Sequence, residues 1–474
     1  MLFASLPFLL GFLPLVIAGT VIARQRMGTR GVLVFLSLAS MVFYGWHYPP
    51  YVLLLITTVF ANYFLAHRLH ANRDKAFLGV AVALNLALLG WFKYAGFFAG
   101  MVEAIVGTTP GIGHILLPLG ISFFTFQQIA YLVDIYQGKT APGKLLEYVF
   151  FITFFPQLIA GPIVHHQKLI PQLSEQRFAQ FLRSDVTAGA FLFCIGLAKK
   201  VLIADSLRIG ADSLFLAQSM GMEISMGEAW LGMICYTFQI YFDFSGYTDM
   251  ALGLGLIFGL KLPENFRSPY KSLDIIDFWR RWNITLSHFL RDYLYVPLGG
   301  NQMGPVRRYA NLWIVMLLGG LWHGAGWQFV VWGGLHGFYL SVAHGWRRFS
   351  PYRLPVAVSL PLTFVCVVIA WVFFRAATFT QAFDILLSMS GLQGTGLTDI
   401  ALIPDLSSTL ALLAFAALLV WFTPNALSLT QRLGQAPVIP SYAPVCYSAL
   451  GVLAAVALLK TYASGSYAFI YFQF

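Results

Sequence analysis

His323 stands in Leu321-Trp322-His323-Gly324-Ala325-Gly326-Trp327, within a stretch from Tyr309 to Gly345 that holds no Lys, Arg, Asp or Glu. An imidazole kept at membrane depth is costly, and it marks chemistry or a transport pathway. When neutral it can take a proton from an attacking hydroxyl and return it to a leaving group. The structural alternative is a core histidine bonded to a nearby carbonyl; the apolar setting favours catalysis. Gly319, Gly320, Gly324, Gly326, Gly333, Gly334 and Gly337 allow close backbone approach, and Trp322, Trp327 and Trp332 supply bulk. His336 follows thirteen residues later. On an unbroken helix it would lie ~140° away, so it is read as structural and as sharing neither metal nor proton with His323. His344, beside Arg347 and Arg348, reads as an interface residue. His165 and His166, after Gly161-Pro162, line an entrance or cap a span end.

A second constellation runs from Asp277 through Phe278-Trp279-Arg280-Arg281-Trp282-Asn283 to Tyr295. Arg280 and Arg281 beside Trp279 and Trp282 suit a phosphate-rich, adenine-bearing ligand, because guanidinium groups pair with phosphate and stack on rings. Lipid headgroups, with internal pairing to Asp277 and Asp292, explain the same charges, and both readings stand open. The Asn283 amide can orient His323 or donate to a developing oxyanion. A third cluster, Tyr241 to Asp249, is read as structural, with Asp243 and Asp249 pairing with the basic insertion at 261–308. Cys194, Cys235, Cys366 and Cys446 show no metal or CxxC spacing and read as packing thiols. No phosphate-binding loop, HExxH, GxSxG or dinucleotide fingerprint occurs, so phosphotransfer and zinc hydrolysis have no support.

These residues need elements that hold them in lipid. With 58% hydrophobic and 10% charged residues among 474, the chain has the composition of an integral membrane protein. The apolar runs predict an all-α polytopic fold of about ten to twelve transmembrane or re-entrant helices, since one span takes ~20 residues. The formal charge of +10 comes from short basic clusters between these runs, a pattern that points to anionic membrane lipid and not to nucleic acid. Arg24, Arg26 and Arg30 follow the first apolar run, which predicts a retained anchor with its N-terminus outside the cytoplasm. One membrane domain, 1–474, is expected, with residues 261–308 as a polar insertion on the cytoplasmic face. Phe278, Trp279, Trp282, Leu286, Phe289, Leu290 and Tyr293 recur at helical spacing there and predict one amphipathic interfacial helix. No internal repeat suggests an inverted-repeat transporter.

Several segments resemble the membrane-bound O-acyltransferase family, and within it the bacterial alginate-acetylating members. They are Leu117 to Gln127, Phe155 to Ile163, Phe242 to Asp249, Leu262 to Phe266, Asp277 to Asn301, Leu321 to Gly337 and the Phe-rich C-terminus. The resemblance implies a multi-helix fold in which a cytoplasmic cleft and an extracytoplasmic opening meet near one histidine, here His323. It implies acetyl-coenzyme A as donor, with no metal or prosthetic group, and periplasmic partner proteins that esterify polysaccharide hydroxyls. Bacterial relatives commonly have His where this chain has Asn283, and eukaryotic members often have Asn. The expected activity is O-acetylation of an extracytoplasmic polysaccharide such as alginate, from the bacterial inner membrane. Peptidoglycan O-acylation, D-alanyl transfer and a flippase for a lipid-linked intermediate are the alternatives.

Overall fold

The structure, a computed structural model, describes residues 1–107, 115–175, 177–396, 402–434, 443–465 and 467–470. Tyr471 to Phe474 and the side chain of Cys446 lie outside the described residues. Every regular element among the described residues is helical. Two compact units are built from interleaved pieces of the chain: Met1–Gly196, Tyr247–Glu264 and Thr430–Ala468 form one, and Leu197–Gly246, Asn265–Leu429 and Phe469–Phe474 the other.

In the first unit, α1 (Leu13–Gly45) bends at Gly28, whose φ of 62° and ψ of −157° are not helical. The bend falls within the Arg24 to Arg30 cluster, between the two apolar runs expected on either side of it. The helices α2 (Pro50–Asn72) and α3 (Lys75–Val106) pack on α4 (Ile121–Tyr136), and α5 (Leu145–Thr153) packs on α1. Amides hold three of these helices together. Asn62 Nδ2 donates to Asn85 Oδ1 at 3.1 Å and to Gln128 Oε1 at 3.0 Å, while Asn85 Nδ2 returns a bond to Asn62 Oδ1 at 2.8 Å. Interhelical amide bonds of this kind stabilise helix association where hydrophobicity gives no preference for one partner over lipid. The short α6 (Phe155–Leu158) and α7 (His166–Leu169) precede α8 (Arg183–Ala198).

The chain then passes through a π-helical segment, Lys199–Ala204, into α9 (Asp205–Ser219) and α10 (Met226–Ile257). In the second unit follow α11 (Ile275–Trp279), α12 (Ile284–Leu290), α13 (Gly304–His323), α14 (Trp327–Phe349), α15 (Val356–Arg375), α16 (Phe379–Met389) and α17 (Leu406–Phe422). The last helices are α18 (Ala426–Gly434) and α19 (Ala443–Ser464). Among the described residues, five helices are long and apolar enough to cross a bilayer, or six if α17 and α18, bent by 56°, form one broken span. With the remaining apolar helices they make an all-helical membrane protein.

The single amphipathic helix expected through Phe278 to Tyr293 is two helices with a turn between them. Arg280 to Asn283 leave the helix, and Asn283 adopts a left-handed conformation with φ 42° and ψ 54°. Asn tolerates that region better than most side chains. The periodicity continues across the turn because Phe278 before it and Leu286 after it are both buried, as is Trp282 within it.

Candidate active site

Helices α13 and α14 form a hairpin whose tip is Gly324-Ala325-Gly326. Gly324 and Gly326 are extended, so α13 stops at His323 and the chain reverses. The pair closes at two glycines. A Cβ on Gly320 would lie 2.2 Å from the Phe329 carbonyl oxygen, and one on Gly333 would lie 2.2 Å from that of Met316. Only glycine permits this approach.

The close approach brings α14 against the last turn of α13. His323, 4% exposed, is surrounded by rings: Trp322 at 4.8 Å, Trp332 at 4.9 Å and Phe374 of α15 at 5.2 Å between centroids. Trp332 is shared. Its other contacts are His336 at 4.8 Å, Trp279 at 5.8 Å and Trp371 at 5.8 Å. His336 is 0% exposed, and its Nδ1 accepts a hydrogen bond of 3.2 Å from Trp279 Nε1. The ~140° separation expected of His323 and His336 does not apply, because they sit on two antiparallel helices and flank one tryptophan.

The turn preceding α12 is held by Asn265. Its carbonyl accepts from Ile284 N at 3.0 Å, and its Oδ1 accepts from Thr285 N at 3.1 Å and Thr285 Oγ1 at 2.9 Å. Asn265 thereby caps α12, a task that falls by position to Asn283. Asn283 is buried, and its Nδ2 has no hydrogen-bond partner among the described residues. No hydrogen bond runs from it to His323. A chain of rings runs between them, from its neighbour Trp282 to Trp371 at 5.0 Å and from Trp371 through Trp332 to His323.

The two arginines have different surroundings. Arg281 Nε is held by both oxygens of Asp277, at 2.9 and 3.0 Å. Arg280 is exposed and belongs to an electrostatic cluster with Arg308, Arg347, Asp274 and His344. Within that cluster Arg308 Nη2 lies 2.9 Å from His344 Nδ1, and Arg347 pairs with Asp274. Trp282 is 1% exposed and stacks at 5.6 Å on Phe278, so it is a core residue and presents no face to a ligand. Trp279 is half-buried and is engaged with His336.

Asp243 does not pair with the basic insertion. Lys200, on the π-helical segment, places Nζ 2.7 Å from Asp243 Oδ1 and 2.6 Å from Asp205 Oδ1, and all three side chains are buried. Asp243 Oδ2 also accepts the Ile470 N–H at 2.7 Å. In the first unit, His166 packs between Tyr131 at 4.7 Å and Phe151 at 5.3 Å. Cys194, Cys235 and Cys366 are free thiols. Sequence reasoning missed Lys200, which lies at the end of an apolar run, gave no role to Asn265 and read Trp332 only as bulk.

A sequence model of the membrane-bound O-acyltransferase family matches residues 140–382. The chain is 41% identical over 438 residues to a peptidoglycan O-acetyltransferase of Helicobacter pylori, covering 85% of this chain and 82% of that protein. It is 41% identical over 391 residues to a probable alginate O-acetylase of Pseudomonas aeruginosa, covering 79% and 72% of the two chains. A teichoic acid D-alanyltransferase of Lacticaseibacillus rhamnosus is 26% identical over 329 residues, which cover 62% of this chain and 80% of that protein.

Proposed function

Because the chain belongs to the membrane-bound O-acyltransferase family, and is therefore a membrane O-acyltransferase, we propose that it takes acetyl from acetyl-coenzyme A at the cytoplasmic face and delivers it to an extracytoplasmic polysaccharide hydroxyl. The observation that carries this reading is His323, placed by a glycine-tight hairpin at the buried end of α13, inside a cage of uncharged rings. The names of the two relatives at 41% identity, both concerned with acetyl, support the acyl group.

In this mechanism His323 accepts the proton of the attacking hydroxyl while oxygen bonds to the thioester carbon. It then returns that proton to the departing thiolate. Exchange of a thioester for an oxygen ester needs no nucleotide, in keeping with a chain that has no nucleotide motif. Asn283 does not orient His323 by a hydrogen bond, so its unpartnered amide is assigned to the oxyanion. The donor's phosphates fall to Arg280 with Arg308 and Arg347, and Arg281 is assigned to holding the turn through Asp277. Inner-membrane residence, an N-terminus outside the cytoplasm, contact with anionic lipid and hand-over to periplasmic acetyltransferase partners complete the reading.

His323→Ala tests it directly. Membranes from a host carrying this variant as its sole copy are expected to transfer label from acetyl-coenzyme A at least about 100-fold more slowly, with unchanged protein level. Transfer near the wild-type rate would remove the mechanism. Arg280→Ala is expected to raise the donor KM about tenfold, the scale of one charge-assisted hydrogen bond, while Arg281→Ala leaves it unchanged. A donor KM that stays put in Arg280→Ala would return that residue to lipid headgroups.

Peptidoglycan is the second acceptor reading, favoured by the Helicobacter pylori relative, which matches over 85% of this chain. Mass spectrometry of exopolysaccharide and of muropeptides from a deletion strain separates the two. Whichever polymer loses O-acetyl groups is the acceptor.

A further inference from the structure

The reaction places negative charge on the thioester carbonyl oxygen, and that charge needs donors close to His323. On the ring next to it, and on the ring beyond that, stand two N–H groups with no acceptor among the described residues. Trp332 Nε1 and His336 Nε2 are buried and have no hydrogen-bond partner among the described residues. Buried donors are nearly always satisfied, so two on adjoining rings are open to an acceptor that a substrate brings. Trp332 lies 4.9 Å from the His323 ring and 4.8 Å from the His336 ring.

The state of His336 follows from its other nitrogen. Trp279 Nε1 carries a fixed proton and donates it to His336 Nδ1 at 3.2 Å, so Nδ1 must offer its lone pair. In the neutral ring the proton is then on Nε2, which makes that atom a donor. Trp279, a residue of the Arg-Arg-Trp turn region, thereby selects the tautomer of a histidine on α14.

We propose that Trp332 Nε1–H and His336 Nε2–H are donors to the oxyanion, supplementing Asn283, and that Trp279 acts as a positioning residue through His336. The assignment rests on the His323 mechanism above. As the acceptor oxygen bonds to the carbonyl carbon, its proton passes to His323 and the carbonyl oxygen becomes an oxyanion held by the two N–H groups. The C–S bond then breaks, the carbonyl re-forms, and the sulfur takes the proton back from His323. Neutral donors in a dry cage stabilise the charge without creating a competing cation.

The test uses full-length variants in host membranes with labelled acetyl-coenzyme A. Trp332→Phe keeps an aromatic side chain but removes the N–H together with the rest of the pyrrole ring; His336→Leu removes the donor, and His336→Gln restores one. The expected result is a kcat lower by about 100-fold or more for Trp332→Phe and His336→Leu at unchanged donor KM, with partial recovery in His336→Gln. Trp279→Phe is expected to lower kcat less, because it releases the tautomer but leaves the ring in place. Should His336→Leu not accumulate, Trp332→Phe and Trp279→Phe decide. A kcat within threefold of wild type in Trp332→Phe overturns the inference. If His323→Ala abolishes transfer in the same membranes, the proposed function survives that result.

Discussion

Two buried polar clusters in this protein are built on opposite rules. In the first unit, the side-chain nitrogens of Asn62, Asn85 and Gln128 all donate to partners on α2, α3 or α4. In the second unit, Asn283 Nδ2, Trp332 Nε1 and His336 Nε2 are just as deeply enclosed and have no acceptor. Both clusters carry the cost of removing polar groups from water, but only the first recovers it within the fold. A saturated cluster has nothing left to offer a substrate, whereas an unsaturated one is an incomplete network that a reacting molecule can complete. Polarity at membrane depth therefore signals function less well than polarity left open.

The sharpest way to break this contrast is at the charged counterpart of the saturated cluster. Lys200→Met leaves Asp205 and Asp243 buried together without their cation, and is expected to cost about 3–5 kcal/mol, read as a lower detergent melting temperature. Replacing both carboxylates by Asn in that background should recover most of the loss; no recovery would show that Lys200 does more than neutralise them. Asn62→Leu is next, at about 1–3 kcal/mol, because it strands Asn85 and Gln128. Acetyl transfer per folded molecule should not change, and a selective drop in turnover would blur the distinction between the clusters.

His166 sharpens the comparison with the smallest effect. Its Nε2 is also buried without a partner, yet the ring is packed against Tyr131 and Phe151, and burial lowers its pKa from 6.5 to about 4. The native state holds this ring neutral, so its contribution to stability is complete above pH 6.5 and falls away as pH drops from there toward about 4. His166→Phe should flatten that part of the pH–stability curve and leave transfer intact. A transfer defect would make His166 part of an entrance and not a packing residue.

Much of this was legible in the residues themselves. The charge-free stretch around His323 pointed to the candidate site, and the apolar runs with basic punctuation marked a polytopic helical protein. The Arg-Arg-Trp element was found, but its interior was not, because Arg280 and Arg281 look alike until Asp277 takes one of them. Helical periodicity through Phe278 to Tyr293 concealed a turn, since a left-handed Asn283 returns the chain to a second helix with the same apolar face buried. The angle drawn between His323 and His336 failed for a geometric reason: a turn counted along one helix has no meaning once two glycines fold that helix back on itself. Lys200 was hidden in an apolar run whose partners lie five and 43 residues away. Distance in sequence concealed what a helix packing brings together.

The backbone contact at Gly320 and Gly333 also sets how this enzyme can change. Carbonyl oxygens stand where any β-carbon on those glycines would go, so the hairpin cannot be widened residue by residue to admit a bulkier acyl group. Extra room beside His323 has to come from the rings around it, Trp322 and Trp332 on the hairpin and Phe374 on α15. Divergence in donor size within this architecture should therefore be recorded in those three side chains, while the glycine contact between the two helices stays fixed.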